Sequence, residues 1–377
     1  MRDRASINAA PRYRVSIDGE WDAVESRWEA LAQRGAALPF QRRSWLASWY
    51  ATLGCAPGVE PLLLTVRDEA LGRDVMALPL VRCRRGRLRI VSFADGGLTD
   101  YNAPIIGPGA PTSVESAIVL MAALRKAVAP ADLIEFEKMP ALIGDKVNPL
   151  ALLDPQDSGL HGNILHVAGE WDAWHWGLER TFRKELERSW RVFCKHEGAE
   201  FRRIEDPIEA HRVFAALKEM QSARIREVGL PYVLDEPLNE GFYDSVLEKG
   251  LVDGSAVLTA LLVKGEVVAA LFGLAQGDHY AMVRLAAGGA QWKNCSPGRL
   301  VIERTMRLLH AGGYRLFDFT IGDYAYKRRL GVTQTRLCEW RAALSWRGLP
   351  VIAKQRLKRA LRGDPLAIAL LRRVRDR

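Results

Sequence analysis

The sequence is poor in the side chains that build disulfide frameworks and metal centres. Its five cysteines, Cys55, Cys83, Cys194, Cys295 and Cys338, are odd in number, lie far apart and form no C-x-x-C pair. That spacing argues against a disulfide scaffold and a structural zinc site alike. The seven histidines are scattered, with no H-E-x-x-H or comparable spacing, so no metal is expected. No run of 18 apolar residues occurs, and the charged start Met-Arg-Asp-Arg-Ala-Ser is not followed by an apolar segment. The expectation is a chain without a membrane span or secretory signal, working in a reducing cytoplasm.

What is present is ordinary globular usage: 377 residues, 48% apolar and 26% charged. That length suits two domains, each able to bury a core. The net charge of +9 is unevenly placed. From Arg347 onward there are ten basic and two acidic residues, a net of +8, which leaves 44 basic against 43 acidic residues in 1–346. The body is nearly neutral and the excess lies in a tail.

Periodicity divides the first half into a strand at 13–17, helices from Trp21 and over 42–53, strands at 60–67, 75–83 and 88–94, a helix over 114–128 and a strand at 132–137. The order β-α-α-β-β-β-α-β then recurs. A strand at 199–204 precedes a helix opened by Asp206, Pro207 and Glu209, and a second helix covers 237–248. Strands at 255–263, 267–275 and 279–287, a helix from Pro297 and a strand at 314–319 complete the repeat. The offset between equivalent elements stays near-constant, which indicates a duplicated fold, with two unrelated α+β domains of similar element order as the alternative. Asn-Pro, Asp-Pro and Ser-Gly pairs mark 148–165 as a linker. The expected organisation is an N-terminal domain over 1–147, a C-terminal domain over 166–346 and a basic tail over 347–377.

Two stretches carry candidate chemistry. In 285–302 a strand runs through a glycine-rich turn into a helix opened by Ser296, Pro297 and Gly298. Its free N–H groups suit an anion such as a pyrophosphate, and plain helix capping is the alternative. In 314–331 an apolar strand ends at Asp318, with Asp323, Tyr326 and Lys327 close behind. A carboxylate, a phenol and an ammonium there suit base, acid and anion partner in a group transfer; a solvated helix cap accounts for them equally well. Arg183 and Lys184 open a charged helix that reads as a solvated face.

The element order, with LPFQRRSWLASWY, MALPLVRCRRGRLRIVSF, GGLTDYNAPII, RKELERSWR, SPGRLVIE and FDFTIGDYAYKRRLG, resembles the CelD-type acetyltransferase-like family of the GNAT superfamily. The two-copy arrangement resembles the FemABX peptidyltransferases. The resemblance implies an α+β fold of two tandem GNAT-like domains, with mixed, mostly antiparallel sheets flanked by helices. It further implies direct acyl transfer from acetyl-CoA or another acyl-CoA to an amine or hydroxyl of a small-molecule or saccharide acceptor, in polysaccharide or cell-envelope synthesis. By the same resemblance the donor contacts Leu285, Ala286, Ser296, Gly298 and Arg299. Asp323 is then the first choice as base with Asp318 behind it, Tyr326 protonates the leaving thiolate, and Lys327 holds a phosphate or substrate carboxylate. Asp100 and Tyr101 fall in the loop that the family places near the substrate cleft, although an ordinary Asx-type turn also accounts for them.

The phosphate loop departs from the GNAT pattern, since Lys293 to Gly298 keeps one glycine. Two alternatives stand beside acyl-CoA: a FemABX-like aminoacyl-tRNA donor, the one nucleic-acid partner expected, and a non-catalytic scaffold. In the tail, Leu357 and Leu361, then Leu366, Leu370 and Val374, recur at helical spacing among cations, broken by Gly363, Asp364 and Pro365. Such helices suit docking on the body, an anionic membrane surface on the cytoplasmic side, or RNA.

Overall fold

A computed structural model describes residues 12–227, 229 and 232–362. Its first half runs through β1 (Tyr13–Asp18), α1 (Glu25–Arg34), α2 (Arg43–Ala51), β2 (Val59–Asp68), β3 (Arg73–Arg85), β4 (Leu88–Phe93), β5 (Ile105–Ile106), α3 (Val114–Ala127) and β6 (Leu133–Pro140). A small hairpin, β7 (Leu142–Ile143) and β8 (Lys146–Val147), leads to β9 (Gln156–His166). The second half holds α4 (Trp171–Gly177), α5 (Arg180–Phe193), β10 (Ala199–Arg203), α6 (Pro207–Glu227), α7 (Pro237–Asp253), β11 (Ala256–Val263), β12 (Glu266–Gln276) and β13 (His279–Ala287). It ends with α8 (Pro297–Ala311), β14 (Leu316–Asp318), α9 (Ala325–Arg329), β15 (Thr333–Ala343) and α10 (Leu349–Arg362).

Local signals account for most of these elements. The carboxylate of Asp206 accepts the Glu209 N–H at 2.8 Å and starts α6. Gly254, at φ 72°, closes α7 in the left-handed conformation that glycine adopts without steric cost. Strands β11 and β12 are buried along almost their whole length, which fits their continuous apolar sequences between helices on both faces.

Among the described residues, thirteen strands form one sheet in the order β1-β2-β3-β4-β6-β15-β9-β14-β13-β12-β11-β10, with β5 beside β3. The fold is α+β, and the expected element order recurs in both halves. In each repeat one parallel pairing interrupts an antiparallel sheet, β4 with β6 and β13 with β14. The final strands are exchanged. β15 comes from the end of the chain and pairs with β6 of the first half, while β9 follows the first half and pairs with β14 of the second. β9 and β15 pair antiparallel at the centre.

Residues 148–165, expected to be a linker, therefore hold a central strand. Their turn signals are real: the Asn148 side chain accepts the Leu150 N–H at 3.0 Å in a short helical turn, and Gly159 has φ 76°. Pairing with β15, far away in sequence, overrides those signals. Sequence periodicity also left β15 unassigned.

One apolar core runs through both halves. Trp45 of α2 is fully buried, its ring 4.8 Å from Phe242 and 6.1 Å from Tyr243 of α7. Beside it, the hydroxyls of Ser44 and Ser255 lie 2.5 Å apart. A second core packs α5 and α8 on the other face of the second half, through Phe182, Leu186, Val301 and Leu309. No helix among the described residues is long and apolar enough to cross a membrane. Of the expected tail helices, the first coincides with α10, and Leu366, Leu370 and Val374 lie outside the described residues.

Trp45→Ala is expected to cost about 3–5 kcal/mol of stability, read from urea unfolding. A chain ending at Gly331, without β15, leaves β6 and β9 without their shared partner and is expected to aggregate on size-exclusion chromatography.

Candidate functional site

The parallel pairing of β13 with β14 lasts three residues, His279 to Ala281 against Leu316 to Asp318, and beyond it the strands part. A bulge in β13 leaves Val283 without an opposing residue on β12, so Met282, Val283 and Leu285 all face the gap. The gap is a cavity of about 580 Å³. Gln221 and Arg224 of α6, Gly298 and Arg299 of α8, and Thr320, Tyr326 and Lys327 from the segment after β14 line it. Asp100 reaches it from the first half.

Contacts behind the cavity hold the two halves in register. The Tyr101 hydroxyl donates to Asp318 Oδ1 at 2.8 Å, and the Thr320 N–H donates to the same oxygen at 2.7 Å. His279 Nε2 lies 3.4 Å from Asp318 Oδ2. On β9, Asn163 Nδ2 donates to the carbonyls of Thr320 and Gly322 at 2.7 and 3.1 Å. A Cβ at Gly162 would come within 2.4 Å of the Tyr101 hydroxyl, so this strand must carry glycine to admit the phenol.

Burial sets the ionisation inside the cavity. It pushes the Asp100 carboxyl up to about 6, against the Thr320 hydroxyl and the charges of Lys138 and Lys327, which pull it down. It lowers the Lys327 ammonium to about 8, opposed by Asp100 and Asp318. Tyr326 is raised to about 12, again by burial, and Tyr101 far higher by burial and the Asp318 carboxylate. A carboxylate poised near neutrality and a phenol that keeps its proton thus face one space.

The candidate residues from the sequence divide into three groups. Asp100, Leu285, Gly298, Arg299, Tyr326 and Lys327 line the cavity. Asp318, Tyr101 and Ala286 are buried outside its lining. Asp318 and Tyr101 bond to each other, and Ala286 points to the other face of β13, as strand alternation requires. Asp323 is exposed and ion-paired with Arg328. The chain turns at Thr320 (φ 56°) and Gly322 (φ 99°), which carries Asp323 away from the cavity and leaves Asp100 as the ionisable carboxyl there.

The role assigned to Lys327 also changes. Its ammonium donates to the carbonyls of Phe319, Ile321 and Thr320 at 2.6, 2.7 and 3.4 Å, so its three donors wrap the loop rather than await a phosphate. Ser296 has φ 46° and its hydroxyl accepts a hydrogen bond from Arg299 at 2.9 Å; it makes no side-chain cap of α8. Arg299 also pairs with Glu185 of α5. Arg183 stacks 4.2 Å from the Trp176 ring, and Lys184 is exposed.

One buried group escaped the sequence reading. Arg284 is 3% exposed and donates twice to Gln221 Oε1, at 2.8 and 2.6 Å, while Gln221 Nε2 donates to the Leu285 carbonyl at 2.9 Å. This pair ties α6 to β13 across the cavity. An arginine inside the apolar strand HYAMVRLAA was the available signal.

Residues 180–328 match the family model described as Acetyltransferase (GNAT) domain. No curated protein sequence matches the chain. Among solved structures, FemX superposes with a TM-score of 0.61 at 13% identity, covering 87% of this chain and 96% of its own. A conserved protein of unknown function from Bacteroides thetaiotaomicron superposes with a TM-score of 0.53 at 14% identity, over 88% of this chain and 100% of its own. At such identities the likeness is one of fold: the chain has the FemX-like arrangement of two GNAT-like halves.

Folded Asp100 holds its proton up to about 6 instead of 3.8, so the native state loses stability as pH rises through that window. Asp100→Asn, a mimic of the protonated form, is expected to raise Tm by a few degrees at about pH 8 and to change it little at about pH 4, read by thermal scans at both.

Proposed function

We propose that the chain is an acyltransferase that moves an acyl group from an acyl-CoA directly to an amine or hydroxyl acceptor, with Asp100 as general base. The observation that carries this reading is the Asp100 carboxyl, poised at about 6, in the cavity where β13 and β14 part. Asp100 takes the proton of the acceptor nitrogen or oxygen as that atom bonds to the acyl carbon. The carbon–sulfur bond breaks, and the Tyr326 phenol supplies the proton for the departing thiolate.

The residues present suit such a donor. Where β13 parts from β14, Met282 and Val283 face the cavity, and Arg224 and Arg299 line it with positive charge. At Gly298 a Cβ would meet only Ala287, at an ordinary 3.5 Å, so packing within the chain does not demand glycine at the start of α8. The CelD-type resemblance favours a saccharide or cell-envelope acceptor and a cytoplasmic site of action. A second reading, aminoacyl transfer from a charged tRNA, is favoured by the FemX-like fold over 87% of the chain together with the FemABX resemblance.

The acid limb of kcat/KM is expected to report a group near 6, and Asp100→Asn to lower the rate by about 10²–10⁴-fold, while Asp323→Asn leaves it unchanged. Full activity in Asp100→Asn overturns the assignment of the base. Acetyl-CoA is expected to raise Tm by mass action. No shift at millimolar acetyl-CoA, combined with transfer from aminoacyl-tRNA, replaces the first donor by the second.

A further inference from the structure

Two segments far apart from each other in sequence, joined through buried Asp132, bring exposed cations together. The β3–β4 hairpin exposes Arg84, Arg85 and Arg87. The lead into α10 and its first turns expose Arg347, Lys354 and Arg356. Buried Asp132 joins the hairpin to the α10 lead. Its carboxylate accepts the Arg89 N–H at 2.9 Å and the Ser345 hydroxyl at 2.7 Å, and Ser345 Oγ accepts the Arg347 N–H at 3.2 Å. Residues 84–89 and 345–357 contain no acidic side chain, and of the exposed cations in the hairpin Arg85 pairs with Glu135.

The same surface carries apolar groups that the described chain leaves uncovered. Trp346 is 74% exposed, with Arg347 5.5 Å from its ring. Leu349, Ala353 and Leu357 recur every four residues along α10 on its exposed side, while Ile352 and Gln355 face the body and Gln355 bonds to Glu339 at 3.1 Å. An indole and a leucine row set among cations of one sign match the anatomy of a helix lying in the headgroup region of a bilayer.

We propose that this face docks the protein on an anionic membrane surface, with Trp346, Leu349 and Leu357 entering the interface and the arginines of the hairpin and α10 meeting lipid phosphates. A nucleic acid accounts for the charge but gives the exposed leucine row no partner, so the lipid surface explains both. The docking brings the protein to a membrane without requiring a spanning helix.

The full chain is expected to sediment with vesicles of equimolar phosphatidylglycerol and phosphatidylcholine, to be released by salt, and to leave phosphatidylcholine vesicles unbound. Trp346→Ser combined with Leu357→Gln, and separately Arg84→Gln combined with Arg87→Gln, are each expected to weaken binding by roughly tenfold. Unchanged Tm confirms that these exposed substitutions leave the fold intact. Failure to bind mixed vesicles, equal binding to both compositions, or full binding by both variants overturns the proposal. Salt-sensitive RNA binding without vesicle binding assigns the face to nucleic acid instead. Vesicle binding gained only after removal of residues 363–377 shows that this segment covers the face, which also overturns it.

Discussion

The exchange of β9 and β15 governs the rest of the molecule. Each repeat stops one strand short, and the missing strand arrives from the other repeat, so the backbone hydrogen bonds of β6 and β14 are satisfied only when both halves are present. The exchange also builds the site. Asn163 of β9 holds the loop after β14 by its carbonyls, and Gly162 of β9 leaves room for Tyr101 to reach Asp318. A first-half carboxylate, Asp100, can face a second-half cavity because the central strand pair brings the halves edge to edge.

Within that frame the electrostatics are arranged by backbone rather than by ion pairing. Lys327 is buried among three carbonyls, and its positive charge steadies Asp100 through space without a direct salt bridge. Asp318 is bonded by a phenol and a backbone N–H. These groups use their hydrogen-bonding capacity on the walls, while Asp100 and Tyr326 face the cavity among its titratable groups. That division of labour separates groups that shape the site from groups that suit chemistry in it.

Much of this was legible in the sequence, and the failures share one cause. The start of α6 at Asp206 and the span of β13 follow from local signals and appeared as expected. The repeat order was visible for the same reason. β9 and β15 escape a local reading because they pair with each other across nearly two hundred residues, and β9 also carries the turn formers Asp157, Ser158 and Gly159. Segments 285–302 and 314–331 meet at the cavity, but not all of their residues face it. Asp323 and Lys327 lie in one motif, yet a turn of positive φ at Thr320 and Gly322 sends one outward and buries the other. Spacing along the chain carries no record of that reversal. From its own neighbours Asp100 reads as an Asx-type turn, because its burial depends on a half of the protein that begins well after it.

Synthesis of such a chain has an order that the finished molecule conceals. Pro140 of β6 pairs with Leu337 of β15, so the first half emerges with one sheet edge open and waits for nearly two hundred further residues. At ordinary translation speeds that interval is roughly 10–40 s. Throughout it, a half-built sheet with an exposed edge strand is available to other chains. The arrangement that locks the mature protein together therefore makes its nascent form dependent on being shielded, by the ribosome or by a chaperone, until the last strand arrives.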